Sequence, residues 1–152
     1  MRVDYQAVQP QIYQGMRQLQ KLIDDAGLEP ALMEMVRLRA SQINGCSYCV
    51  DLHSKAARAK GVEEERLHLV SAWREAACFT PRERAAFGWC DAVTLLSQTG
   101  APDDVYRELA NVFGPDEIVA LTWGIAAINA WNRIAVPMRK KGGRPVGGSE
   151  AR

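Results

Sequence analysis

From Pro115 to about Val136 the chain is apolar on most sides of any helix it could form, with Ile118, Leu121, Trp123, Ile125, Ala126, Ala127, Ile128 and Trp131. Such a helix must lie at the centre of its domain or be covered by a partner subunit. A chain of 152 residues has limited room to enclose one fully, so a homo-oligomer is expected. Its nearly uncharged stretch, Ile118 to Asn132, is too short, and too interrupted by Trp and Asn, to read as a membrane span.

The rest of the chain reads as further helices between short breakers. Val8, Ile12, Met16, Leu19 and Ile23 recur at three- and four-residue steps, predicting a helix over 8–26 that stops at Gly27. Pro30 suits the first turn of a second helix carrying Leu32, Met33, Val36, Ala40 and Ile43, broken by Asn44-Gly45. A third is expected over 46–60, with Gly61 as its cap. Glu63, Glu64 and Glu65 favour the start of a fourth, bearing Leu67, Val70 and Trp73. Thr80-Pro81-Arg82-Glu83 is a capping-box pattern opening a fifth, to about Gln98. A shorter helix follows from Pro102 and Asp103 to Val112. No segment alternates as strands do. The expectation is an all-α fold of six to seven helices, forming one domain over 1–140, with a disordered tail over 141–152.

Charge adds little. The formal net charge is +1, which gives no reason to invoke nucleic acid or membrane, and the basic surplus sits near the C-terminus. The N-terminus lacks the apolar core of a signal peptide, so the four cysteines are expected in a reducing cytoplasm.

Cys46, Cys49 and His53 hold the chemistry. At i, i+3 and i+7 they share one helical face, and Cys49 and His53 are i, i+4 neighbours. Both cysteines fall in the first turn, where free amides and the helix dipole favour a thiolate. His53 can then accept the Cys49 proton or hold one for a leaving alcohol. A sulfenic acid formed on one cysteine can condense with the other to a disulfide. Cys-x-x-Cys alone leaves other readings open: thioredoxin-like exchange, a structural zinc site, or plain packing. The first belongs after a strand, and the second lacks a ligand couple, since His68 stands alone on the next helix. Cys78 and Cys90 read as inert thiols, and Trp73, Trp89, Trp123 and Trp131 as core or interface anchors. Arg37, Arg39 and Arg58 read as solvated or ion-paired helix faces, and Asn129 and Asn132 as binding backbone or partner groups rather than substrate.

Glu34, followed after eleven residues by Cys46-Ser47-Tyr48-Cys49 and after three more by His53, resembles the core motif of the alkyl hydroperoxidase D family. That family belongs to the carboxymuconolactone decarboxylase superfamily. The likeness spans roughly 28–136 and includes Asn129-Ala-Trp-Asn-Arg133. It implies an all-helical oligomer in which Cys49 is the peroxidatic thiol, Cys46 resolves it, and His53 with Glu34 relays protons. Tyr48 stands where some members carry a histidine; its hydroxyl can donate a hydrogen bond but is no base at neutral pH. The resemblance implies no bound cofactor, a peroxide substrate, and a thiol- or lipoyl-bearing reductant. A disulfide reductase, a decarboxylase and a non-enzymatic redox sensor are the alternatives, the decarboxylase branch lacking the cysteine pair.

Overall fold

The computed structural model describes residues 1–144 and is all-helical there. The elements are α1 (Tyr5–Val8), α2 (Pro10–Asp24), α3 (Pro30–Ile43), α4 (Ser47–Ala59), α5 (Glu64–Leu69), a 3₁₀ turn (Val70–Ala72), α6 (Pro81–Thr94), α7 (Leu96–Thr99), α8 (Asp103–Ala110) and α9 (Pro115–Ala135). Residues 145–152, most of the expected tail, lie outside this description. Among the described residues no helix is long and apolar enough to cross a membrane.

Among the described residues there are nine helices against the expected six or seven, because a short unpredicted helix precedes the first one and the fifth is divided. The helix expected over 8–26 begins instead at Pro10, behind a break at Gln9 (φ −130°, ψ 65°) that separates it from α1. Pro10 disfavours helical backbone in the residue before it and restarts the helix at its own first position. The helix from Pro81 breaks at Leu95, where the Thr99 hydroxyl takes up the Ala92 carbonyl at 2.6 Å. The fourth predicted helix is only one and a half turns long before it tightens into the 3₁₀ turn. The capping box forms as read: Glu83 N donates to Thr80 Oγ1 at 3.2 Å, and Thr80 N to Glu83 Oε2 at 2.9 Å.

Helix α3 is the hub, packed against α4, α6 and α9. Val36, Leu38 and Ala40 from α3 meet Phe87 and Cys90 of α6 and Leu121, Ile125 and Ile128 of α9, all fully buried. At Gly124 α9 comes close to α3; a Cβ there would lie 2.6 Å from the Met33 sulfur. The all-round apolar character of α9 is only partly used within the subunit. Trp123 remains 55% exposed and Val119 beside it is also exposed, with Leu22 of α2 on the same surface.

Candidate active site

The α3–α4 turn builds the site. Gly45 adopts φ +64°, which reverses the chain within two residues and lays α4 back along α3. Asn44, before it, donates through Nδ2 to the Oδ1 atoms of both Asn129 and Asn132 at 2.9 Å, fastening the turn to α9.

Cys46 is not in the first turn of the helix, as the spacing suggested, but is its N-cap. Its sulfur accepts the backbone N–H of Cys49 at 3.3 Å, the role usually taken by a Ser or Asp oxygen. The anion is thus closer to the free amides than the sequence reading placed it. The Cys49 thiol donates to Cys46, and with backbone N–H groups of Cys49 and Tyr48 and the Asn132 amide it outweighs burial and brings the Cys46 thiol down to about 6. Cys49 is pushed the other way, first by holding its proton for Cys46, then by burial and by the Cys46 charge. At rest the pair shares one proton, with the charge on Cys46. Both sulfurs are buried, Cys46 at 1% and Cys49 at 3% exposure.

Glu34 and His53 meet as the spacing required: His53 Nδ1 lies 2.7 Å from Glu34 Oε2. A carboxylate at Nδ1 holds the proton on that nitrogen and leaves Nε2 as the acceptor in the neutral ring. Burial works to raise the Glu34 carboxyl, but His53 and Arg37 together hold it below the usual range. No hydrogen bond joins His53 to either sulfur among the described residues; the ring instead forms part of the wall of a cavity of about 240 Å³ that Tyr48, Leu52 and Trp131 also line.

Two further residues belong here that sequence reasoning gave ordinary roles. Arg37, read as a helix-face cation, is 4% exposed. Its Nη1 donates to Glu34 Oε1 at 2.6 Å and its Nη2 to Asp24, so it holds the carboxylate on the side away from His53. Its position three residues after Glu34 was the available signal. Asn132, expected to bind backbone or partner groups, donates to Ser41 Oγ at 3.2 Å, works to lower both thiols, and is 1% exposed. Its signal was the Asn129-to-Arg133 segment of the resemblance.

Cys90 is fully buried and its thiol is pushed up to about 12 by that burial. His68 is exposed beside Glu64. Among the described residues no group of three or more His, Cys, Asp or Glu is gathered to hold a metal ion.

Residues 10–92, more than half the chain, match the model of the carboxymuconolactone decarboxylase family. An uncharacterized protein of Bacillus subtilis, YdfG, is 31% identical over 137 residues, covering 90% of this chain and 93% of its own. A solved structure from Agrobacterium tumefaciens, of unknown function and described as a candidate antioxidant defence protein AhpD, superposes with a TM-score of 0.92 at 42% identity, covering 95% of this chain and 99% of its own. The debrominase Bmp8 shares the fold at a TM-score of 0.76 and 20% identity, over 88% of this chain and 72% of its own. The chain belongs to the carboxymuconolactone decarboxylase family.

Proposed function

We propose that the protein is a thiol peroxidase working through a Cys46–Cys49 disulfide cycle. The observation that carries this reading is a buried cysteine pair, with Cys46 capping α4 through its sulfur, on the helix that carries His53 of the Glu34–His53 dyad, and a cavity of about 240 Å³ at that dyad. Burial argues against exchange with bulky protein disulfides and for a small oxidant. A structural pair would have no need of a carboxylate-oriented histidine. The likeness to the debrominase speaks to the fold alone, and function follows the site rather than the scaffold.

In the cycle the Cys49 proton passes to Cys46 or, through water, to His53 Nε2, and Cys49 sulfur attacks the distal peroxide oxygen. The O–O bond breaks, His53 or water protonates the leaving alkoxide, and Cys49 becomes a sulfenic acid. Cys46 then attacks Cys49 sulfur and displaces water. In total one hydroperoxide takes two electrons from the dithiol, giving an alcohol, water and a disulfide. An external thiol or a lipoyl-bearing protein returns the two electrons.

Wild type titrated with hydroperoxide should form the disulfide, Cys46→Ser should accumulate sulfenic acid, and Cys49→Ser should lose fast oxidation, all followed by intact mass. Because the Cys46 thiol is lowered, the charged pair is lost as pH falls through about 6 and is present above it. The oxidation rate should therefore climb through about pH 6 and level off by neutrality, where an ordinary thiol is only a few per cent ionised. Wild type that loses thiols no faster than either variant, at any pH, would sink the peroxidase reading.

We further propose a homo-oligomer, between dimer and hexamer, that covers Leu22, Val119 and Trp123. A patch of this kind on a lone subunit is an interaction surface. In sedimentation velocity the wild type should run as an assembly and Trp123→Glu as a monomer. A monomeric wild type would refute it.

A further inference from the structure

The cavity at His53 carries more positive charge than its own carboxylates use. Glu34 is taken by His53 and Arg37, and Asp24 by Arg37. Two more cations line the same space, Arg17 of α2 and Lys140 beyond α9, and among the described residues neither pairs with a carboxylate. Lys140 is half-buried, with its Nζ 4.2 Å from the centre of the Tyr48 ring and 5.5 Å from that of Tyr5. Ring faces position an ammonium and attract it, but they supply no counter-charge. Lys140 thus packs on Tyr48, the residue before the peroxidatic Cys49, and the segment that carries it is itself tied down. Lys140 N donates to Ala135 O at 3.0 Å, Arg2 N donates to Met138 O at 2.8 Å, and Gly142 N to Ser47 Oγ at 3.4 Å.

The remaining wall is aromatic. Tyr13 and Trp131 meet edge to face with ring centres 5.6 Å apart, and the Tyr5 ring is 6.4 Å from Tyr13. Flat apolar surface on one side and an uncompensated ammonium on the other suit a molecule with an apolar body and an anionic end. At about 240 Å³ the space is smaller than a typical drug-sized site, so that body must be compact.

We propose that this cavity selects hydroperoxides bearing a carboxylate on a compact aryl or short alkyl body, with Lys140 binding the carboxylate. The inference rests on the peroxidase reading above, whose electron balance it leaves unchanged. A neutral hydroperoxide leaves the ammonium as it was, whereas a carboxylate gains a charge-assisted hydrogen bond.

The probes are 4-(2-hydroperoxypropan-2-yl)benzoic acid and its methyl ester, together with the two corresponding alcohols. Calorimetry with the unreactive alcohols should show the acid binding wild type at least about tenfold more tightly than the ester, the lower end of what a hydrogen bond to a charged group supplies. In Lys140→Gln the two should bind alike, and Lys140→Arg should restore the preference. Stopped-flow oxidation of the dithiol should favour the acid hydroperoxide over the ester by a similar ratio in wild type and Lys140→Arg, and not in Lys140→Gln. Equal binding of acid and ester, or a preference that survives Lys140→Gln, overturns the proposal. If the alcohols show the preference but neither hydroperoxide oxidises the pair, the anion site stands and the peroxidase reading falls.

Discussion

Replacing Glu34 by Gln is expected to slow hydroperoxide-driven oxidation of the Cys46–Cys49 pair by about 10²–10⁴-fold, the range lost when positioned acid–base catalysis is removed. The carboxylate does two things to His53. It fixes which nitrogen carries the proton, through the 2.7 Å contact at Nδ1, and it stabilises the imidazolium formed when Nε2 receives a proton. A glutamine amide can present either end to the ring and stabilises no charge. The Cys46 thiolate is held by different groups, namely the Cys49 thiol and N–H, the Tyr48 N–H and Asn132. Thiolate absorbance should therefore still titrate near about 6 in Glu34→Gln while the rate collapses, which separates a lost relay from a disrupted pair. The substitution also leaves Arg37 with Asp24 alone, so His53→Gln, which keeps the Arg37–Glu34 ion pair, is the necessary companion. If the two residues act as one relay, each variant loses a similar factor and the double variant loses little more. A Glu34→Gln rate within about twofold of wild type would show that the dyad is structural.

The features legible in the sequence are those that depend on helical periodicity. Cys46, Cys49 and His53 lie within one short segment, so their common face follows from 3.6 residues per turn once α4 is recognised. Thr80 to Glu83 announces its own cap for the same reason. Glu34 reached His53 only through its spacing from the motif, because a contact between helices is invisible to periodicity. Asn132 was marked only by the resemblance of its segment, with no role attached: its Asn44 contact spans 88 residues, and an asparagine in an apolar helix has many possible duties. The N-cap position of Cys46 was missed by a single residue, within the usual uncertainty of helix ends, yet that residue decides which sulfur takes the backbone donors. The later start of the first predicted helix had a signal in Pro10, since the residue before proline resists helical backbone. Trp123 shows the opposite case, in which composition alone raised a question the isolated subunit does not answer.

Asp91, which no motif singled out, is expected to be among the most costly polar residues to remove. It sits on α6, 6% exposed, and gathers three donors from other parts of the chain. Arg39 of α3 binds it through Nε at 2.6 Å and Nη2 at 3.1 Å, Arg74 through Nη1 at 2.6 Å, and the Trp73 indole N–H at 3.2 Å. The carboxylate thus pins the irregular stretch after the 3₁₀ turn against α6 and α3, where apolar contacts alone leave the backbone underdetermined. Asp91→Leu removes the anion and leaves the Arg39 guanidinium largely buried, with a lone backbone bond to Ser71 O at 3.1 Å. Breaking a buried ion pair from one side costs about 3–5 kcal/mol, far above an exposed pair, because the surviving charge stays desolvated. For a domain of this size that lowers the melting temperature by about 10 °C or more. The double variant Asp91→Leu with Arg39→Met should recover much of the loss, since replacing both partners removes the stranded charge. Urea unfolding of the wild type, the two single variants and the double variant completes the cycle. A cost for Asp91→Leu below about 1 kcal/mol, the level of a surface pair, would show that solvent reaches this cluster and that apolar packing alone fixes the segment.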